Sequence, residues 1–219
     1  PTCLILDTLG RPTLGIDHNR FQDGAGNIRE EFYHTHIALD IEGNQTAVTD
    51  ARGNTVMQYR HDLLGRQVAQ TSMDAGRRWM LNNALGNPVK TWDERAHEFS
   101  FEYDALHRPT AKRVSGGDPE SSGPLNCLYE RILYGENQPD AKRDNLRGKA
   151  AVLYDTAGRV VSEHYDFKGN LLSSTRIFAK NYKETPNWDV PNPGSLLEGA
   201  KYTFTTLTEY DALNRPVRL

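Results

Sequence analysis

From Glu98 to Pro109, apolar and polar positions alternate: Phe99, Phe101 and Tyr103 fall on one parity, Glu98, Ser100 and Glu102 on the other. That period of two predicts a strand with one aromatic and one polar face. The alternation stops at Asp104, a residue that bonds the backbone two positions on. His107 then stands where a turn asks for the left-handed conformation that Gly adopts freely and His or Asn tolerates. The closing stretch repeats this arm, with Tyr210 and Asp211 in the same places and Asn214 in place of His107. Residues 55–59, 68–71, 78–81, 151–154 and 202–208, rich in β-branched and aromatic side chains, also read as strands.

Between the strands a signature recurs, Asp-x-x-Gly followed by Asn or Arg. It pairs Asp7 with Gly10, Asp23 with Gly26, Asp40 with Gly43, Asp50 with Gly53, Asp62 with Gly65, Asp155 with Gly158 and Asp166 with Gly169. Seven of the sixteen Asp therefore have Gly three residues on, too many for chance among 18 Gly in 219 residues. Relaxed copies pair Asn83 with Gly86, Asp104 with His107 and Asp211 with Asn214. Asp bonding local backbone and Gly at positive φ predict a hairpin loop of three to five residues at each. Pro12, Pro88, Pro109 and Pro216 follow four of them, which suits the first residue of a strand and not a helix.

The regularity breaks at 115–126, 135–149 and 186–199, rich in Gly, Ser, Pro or polar residues and expected to be irregular loops. Leu171, Leu172, Thr175, Phe178, Ala179 and Tyr182 recur near helical spacing, so at most one short helix is expected near 173–183, capped by Ser173 or Ser174. Thr175 and Ile177 suit a strand equally well. The fold class is all-β, a single run of repeated antiparallel hairpins.

Composition sharpens this picture. Hydrophobic residues are 37% even with ten Tyr counted, lean for a folded domain and in keeping with a sheet that has a wet face. The net charge is −3 and the basic residues are scattered, which predicts neither a nucleic-acid partner nor an anionic membrane. Apolar runs are a few residues long, so no membrane insertion is expected of this segment. Cys3 and Cys127 form neither a disulfide framework nor a zinc pattern. Pro1 and Leu219 both lie within repeat pattern, so the chain is expected to be a piece of a longer protein.

Candidate chemistry is sparse. His34, His36 and Asp40 share a strand parity as a possible metal corner, but a zinc site gathers three or four strong ligands and no third is evident, so no metal is expected. Glu98 and Glu102 are about 13 Å apart on a strand, beyond the ~5–9.5 Å of paired catalytic carboxylates. Each turn offers one carboxylate, too few oxygens for calcium. Trp79, Trp92 and Trp188 are candidates for stacking on glycans, although strand aromatics are more often core. No nucleophile–base order, phosphate loop or dinucleotide fingerprint occurs, so the chain reads as non-catalytic and without a cofactor.

The Tyr-Asp-x-x-Gly pattern at Tyr154-Asp155-Thr156-Ala157-Gly158-Arg159 and Tyr165-Asp166-Phe167-Lys168-Gly169-Asn170 resembles the Rhs or YD-repeat family. Together with Tyr134-Gly135-Glu136-Asn137 and Asn145-Leu146-Arg147-Gly148-Lys149 it looks most like the repeat region of the B and C components of bacterial insecticidal toxin complexes. The resemblance implies a coiled sheet ribbon, part of a hollow shell around a toxic polypeptide, in a secreted or cell-surface-associated bacterial protein. Its partners would be the rest of the shell, the enclosed polypeptide and other toxin-complex components. The family's self-cleavage element, Asp-Pro-x-Gly, is not matched: Asp118-Pro119 runs on into Glu120-Ser121, and Asp189 is followed by Val190. A cell-surface module that binds carbohydrate is the alternative.

Overall fold

The structure, a computed structural model, describes residues 2–117 and 124–218. It divides into two units, Pro1–Ala96 and His97–Leu219. The first holds β1 (Thr2–Leu6), β2 (Pro12–Gln22), β3 (Ile28–Leu39), β4 (Gln45–Thr49), β5 (Thr55–His61), β6 (Gln67–Ser72), β7 (Gly76–Asn82) and β8 (Pro88–Asp93). The second holds β9 (His97–Tyr103), β10 (Pro109–Gly116), β11 (Leu125–Tyr134), β12 (Ala150–Asp155), β13 (Gly158–Tyr165), β14 (Leu171–Phe178), β15 (Thr203–Leu207) and the short hairpin β16 (Glu209–Tyr210) and β17 (Pro216–Arg218). Within each unit every strand from β1 to β8 and from β9 to β15 pairs antiparallel with its sequence neighbour. The all-β fold of repeated hairpins is the one the alternation predicts.

The first unit is one layer thick. None of its described residues is buried, and Leu4, Phe32 and Leu81 stand largely in solvent. The second unit has a core, because the segment after β14 folds back over the sheet as a strap. Trp188, 0% exposed, packs on Tyr154 with ring centroids 5.0 Å apart, among Ala111, Leu128 and Leu197. The strap is pinned by polar contacts as well. Leu128 N–H donates to Asn187 Oδ1 (3.0 Å), Trp188 N–H to the Leu128 carbonyl (2.9 Å) and Trp188 Nε1–H to the Asp155 carbonyl (3.1 Å). An ion pair from Arg113 to Asp189 (2.7 Å) closes its edge. The chain exposes 14697 Å², against ~10,000 Å² for a compact protein of its mass.

The helix expected near 173–183 is replaced by β14, which pairs with β13 and β15. The hydroxyls of Ser173 and Thr175, on one parity, both donate to the Glu163 carboxylate of β13 (2.6 and 2.7 Å). Of the residues at helical spacing beyond it, Ala179 is buried and bridges Leu197 while Tyr182 is exposed, so they form no common apolar stripe. The only helical pieces among the described residues are 3₁₀ turns at Gly135–Asn137, Pro193–Leu196 and Ala200–Tyr202. Of the loop expected at 115–126, residues 118–123 lie outside the described residues, while Ser115 pairs with Asn126 and Gly116 with Leu125 as strand. In 135–149, Gly135 N–H donates to the Lys149 carbonyl (3.0 Å), which closes that segment at its base.

Candidate functional site

The repeated signature builds one five-residue loop. In 7–11, Asp7 N–H donates to the Arg11 carbonyl (2.8 Å) and Gly10 N–H to the Asp7 carbonyl (3.0 Å). Asp7 Oδ1 accepts the N–H groups of Leu9 (2.8 Å) and Arg11 (2.9 Å), and Oδ2 accepts Arg11 Nε–H (2.7 Å). The same backbone closure recurs from Asp23, Asp40, Asp50, Asp62, Asn83, Asp104, Asp166 and Asp211. Where the fifth residue is Asn, as in Asn44, its Nδ2 takes the Arg role (2.9 Å). The fourth residue is left-handed in each, Gly65 at φ 72° and Gly43 at φ 95°, with His107 at 59° and Asn214 at 61° in the relaxed copies. Asn83 keeps both backbone bonds on its one oxygen (3.0 Å each).

The copy at 23–27 keeps the backbone but departs from the side-chain pattern. Gly26 is left-handed (φ 86°) and its N–H donates to the Asp23 carbonyl (2.9 Å), as the signature predicts. Asp23 Oδ2, however, accepts from Arg29 Nε (2.9 Å), two residues beyond the signature on β3. The Gly26 carbonyl in turn accepts Gln22 Nε2–H (2.9 Å), so this loop is tied to its own flanking strands.

These hydrogen bonds hold the carboxylates ionised. The Arg11 backbone N–H chiefly lowers the pKa of Asp7, and the Arg66, Arg108 and Arg215 N–H groups do the same for Asp62, Asp104 and Asp211. For Asp40 and Asp50 the side-chain amides of Asn44 and Asn54 come first, and for Asp23 the Arg29 guanidinium.

Asp155 departs further from this loop. It pairs directly with Gly158 across a two-residue turn, and its carboxylate is held from β14 by Arg176, at 3.2 Å from Nη1 and 2.7 Å from Nη2. Burial works against its charge, but the Arg176 bonds prevail and the pKa is lowered. A Cβ on Gly158 would lie 2.2 Å from the Ile177 carbonyl oxygen, so this Gly admits the neighbouring strand. Among the described residues two short turns lack the signature altogether. At 93–96, Ala96 takes the left-handed place (φ 62°) and Arg95 N–H donates to Asp93 Oδ1 (3.0 Å). At 72–76, the Ser72 hydroxyl replaces the carboxylate, accepting from Asp74 and Ala75 (3.3 and 3.2 Å).

Because consecutive turns of a meander alternate between its two edges, the loops fall into rows. In the first unit one edge carries 7–11, 40–44, 62–66 and 83–87, and there each fifth residue lies over the Gly of the next loop. A Cβ on Gly43 would be 2.9 Å from Arg11 Nη1, one on Gly65 3.3 Å from Asn44 Oδ1, and one on Gly86 3.8 Å from Arg66 Cδ. Arg66 also donates to the Asn83 carbonyl (3.1 Å). On the other edge Gly53 has open space around it and a Cβ on Gly26 would meet only Gln22 of its own hairpin (3.7 Å), while Gly76 lies against Glu94 of the following turn. The second unit has such a row too: Arg108 reaches Glu136 (2.7 Å) while lying on the Tyr134 ring (3.8 Å), Lys168 donates to the Ala212 carbonyl (2.7 Å), and Asn170 to Asn214 (3.0 Å). The loops of these edges carry exposed apolar tips, Leu9, Ile41, Leu63 and Leu85 in the first unit and Leu106, Phe167 and Leu213 in the second.

The other sequence candidates scatter. Trp188 is sealed in the core and has no face to offer a sugar, which corrects the stacking expectation for that ring. Trp79 and Trp92 are directly opposite one another on β7 and β8, with Trp79 40% exposed. His34 and His36 are exposed on β3, while the Asp40 carboxylate is engaged in its own loop. Glu102 pairs with Arg113 (3.1 Å).

No protein-family model matches the chain. The toxin subunit YenC2 of Yersinia entomophaga is 27% identical over 234 residues, covering 97% of this chain and 24% of that protein. The chain thus spans about a quarter of the length of this curated relative. A crystal structure of TcdB2-TccC3 superposes over 99% of this chain and 11% of its own with a TM-score of 0.78 at 24% identity. A Photorhabdus luminescens Tc holotoxin pore does so over 99% and 10%, again at 0.78 and 24%. The resemblance to toxin-complex subunits read from the repeats is found in both comparisons, and the fold is that of the matched segments.

Proposed function

We propose, from this similarity to toxin-complex subunits, that the chain is a non-catalytic structural segment of a Rhs/YD-repeat shell that encloses a toxin polypeptide and helps deliver it. Its partners are the remaining ribbon of the shell, the enclosed polypeptide and other toxin-complex components, and the setting is a secreted bacterial protein. The observation that carries this reading is the row of interlocked loops along the edge of a sheet one layer thick. A wall wet on both faces cannot draw its stiffness from a core, and here each loop closes on its own Asp or Asn and lies against the next. The turn carboxylates are committed to local N–H groups, which supports structure over catalysis.

The test uses the full-length parent protein and asks whether its enclosed polypeptide survives added protease. Gly43→Val with Gly65→Val, which breaks both φ and clearance in the row, is expected to expose the polypeptide to cleavage. Gly53→Val, strained in φ but free of neighbours, is expected to leave most of the protection. Equal cleavage in all three proteins would sink the reading.

A further inference from the structure

The exposed face of the first unit carries a trough that the wall function does not require. Register sets Arg60 opposite Ala69, Ala69 opposite Trp79, and Trp79 opposite Trp92; one step along, Gln58 faces Thr71 and Thr71 faces Arg77. Directly opposed residues share a sheet face. The small Ala69 therefore floors a channel along β6, with Gln58 and Arg60 on one bank and Arg77, Trp79 and Leu81 on the other. The banks are two strand spacings apart, ~9.6 Å, and the hollow encloses about 770 Å³.

Its chemistry is one-sided. Among the described residues the lining includes two arginines, two tryptophans, Gln58, Gln70 and Thr71, but no carboxylate. Arg77, on the same bank as Trp79, is already engaged: its N–H donates to Glu94 (2.9 Å), its guanidinium approaches the same carboxylate (3.6 Å), and it also lies 5.5 Å from the Trp79 ring centroid. Arg60 is exposed and has no acid or hydrogen-bond partner among the described residues. An unpaired guanidinium across a small floor from a part-exposed indole matches a ligand with a carboxylate on one side and an apolar face on the other. A peptide carboxylate would use Arg60 alone. A sugar ring also presents C–H groups to the indole and hydroxyls to Gln58 and Thr71.

We propose that the trough between β5 and β7 binds an acidic glycan, with a sugar ring stacked on Trp79, its carboxylate on Arg60, and Trp92 extending the aromatic bank. The assignment does not depend on the shell reading, and either can fail alone.

Calorimetric titration of the whole chain with sialyllactose and a hyaluronan hexasaccharide, against lactose and a glutamate oligomer, tests it. Acidic sugars are expected to bind about tenfold tighter than lactose, the increment of one charge-assisted pair. Arg60→Gln should reduce them to the lactose level, Arg60→Lys should recover part of the preference, and Trp79→Ala should abolish all sugar binding. Arg52→Gln, on a loop of the edge, should change nothing. Circular dichroism of each variant must match the parent chain. Absence of sugar binding at about millimolar concentration, sugar binding indifferent to Trp79 or Arg60, or equal binding of the glutamate oligomer that needs Arg60 but not Trp79 would each overturn the proposal.

Discussion

Gly65 answers two requirements, a positive φ and clearance for Asn44, whereas Gly53 answers only the first. Substituting Ala for either forces an L-residue into the left-handed region, about 1–2 kcal/mol. Gly65→Ala is expected to cost more than Gly53→Ala in urea unfolding, and Gly53→Asn less than half as much as Gly53→Ala. Asn214 already occupies the equivalent place in its own loop. The left-handed demand was legible in the sequence because Gly, His and Asn share that position. The clearance was not, since it depends on which loops become neighbours along an edge. Nor was the partner of Asp23, because the guanidinium that reaches it lies outside the five-residue signature that ends just after Gly26. Acidity tells the same local story. The turn carboxylates are more acidic folded than unfolded, so their stabilisation is complete above the unfolded value near 3.9 and drains away as pH falls through the lower folded values. Urea midpoints are therefore expected to be level above about pH 5 and to drop below about pH 4, with a shallower drop in Asp62→Asn, where one titrating group is gone.

At the scale of elements the strap and the β12–β13 hairpin decide the second unit. Trp188→Ala empties the centre of its core, and large aromatic deletions of that kind cost about 3–5 kcal/mol. Hydrogen exchange should show β10 to β12 loosened and β1 to β6 unchanged; uniform loosening would mean that the strap supports more than its own unit. Trp79→Ala, on an open face, should cost under about 1 kcal/mol. Gly158→Ala should be worse than a Gly substitution in any of the five-residue signature loops, because its Cβ would strike the backbone of Ile177. Sequence alone presents Gly158 as one more turn residue, since the signature is the same and only the pairing of β14 against β13 distinguishes it. It also offers β14 as a helix. The alternation of Ser173, Thr175 and Ile177 competes there with a chance helical spacing of Leu171, Thr175 and Phe178, and pairing on both sides settles the contest. The burial of Trp188 is hidden for a related reason: nothing in a Pro-rich stretch announces that it folds back onto a sheet.

For the molecule as a whole, surface is the governing quantity. An unfolded chain of 24.7 kDa exposes ~36,000 Å², so folding to 14697 Å² buries ~60% of it, the share typical of a 60-residue domain and not of one this long. The slope of urea unfolding is accordingly expected to be about a fifth below that of a compact protein of equal length. A slope at the compact value would mean that solution conditions bury faces left open here. Most of the hairpin run was legible, because a period of two and a turn signature each speak for a single arm, with β14 the arm where a helical spacing competed. Which arms gain a covering layer is a long-range matter, and among the described residues only the second unit gains one.

The coreless first unit has a thermal consequence. Heat capacity rises on unfolding mainly because buried apolar groups meet water, and this unit has few to release. Its free energy of unfolding should therefore curve only gently with temperature, so that cooling weakens it little and warming melts it over a broad interval. A sheet of this kind trades a sharp melting point for tolerance to cold.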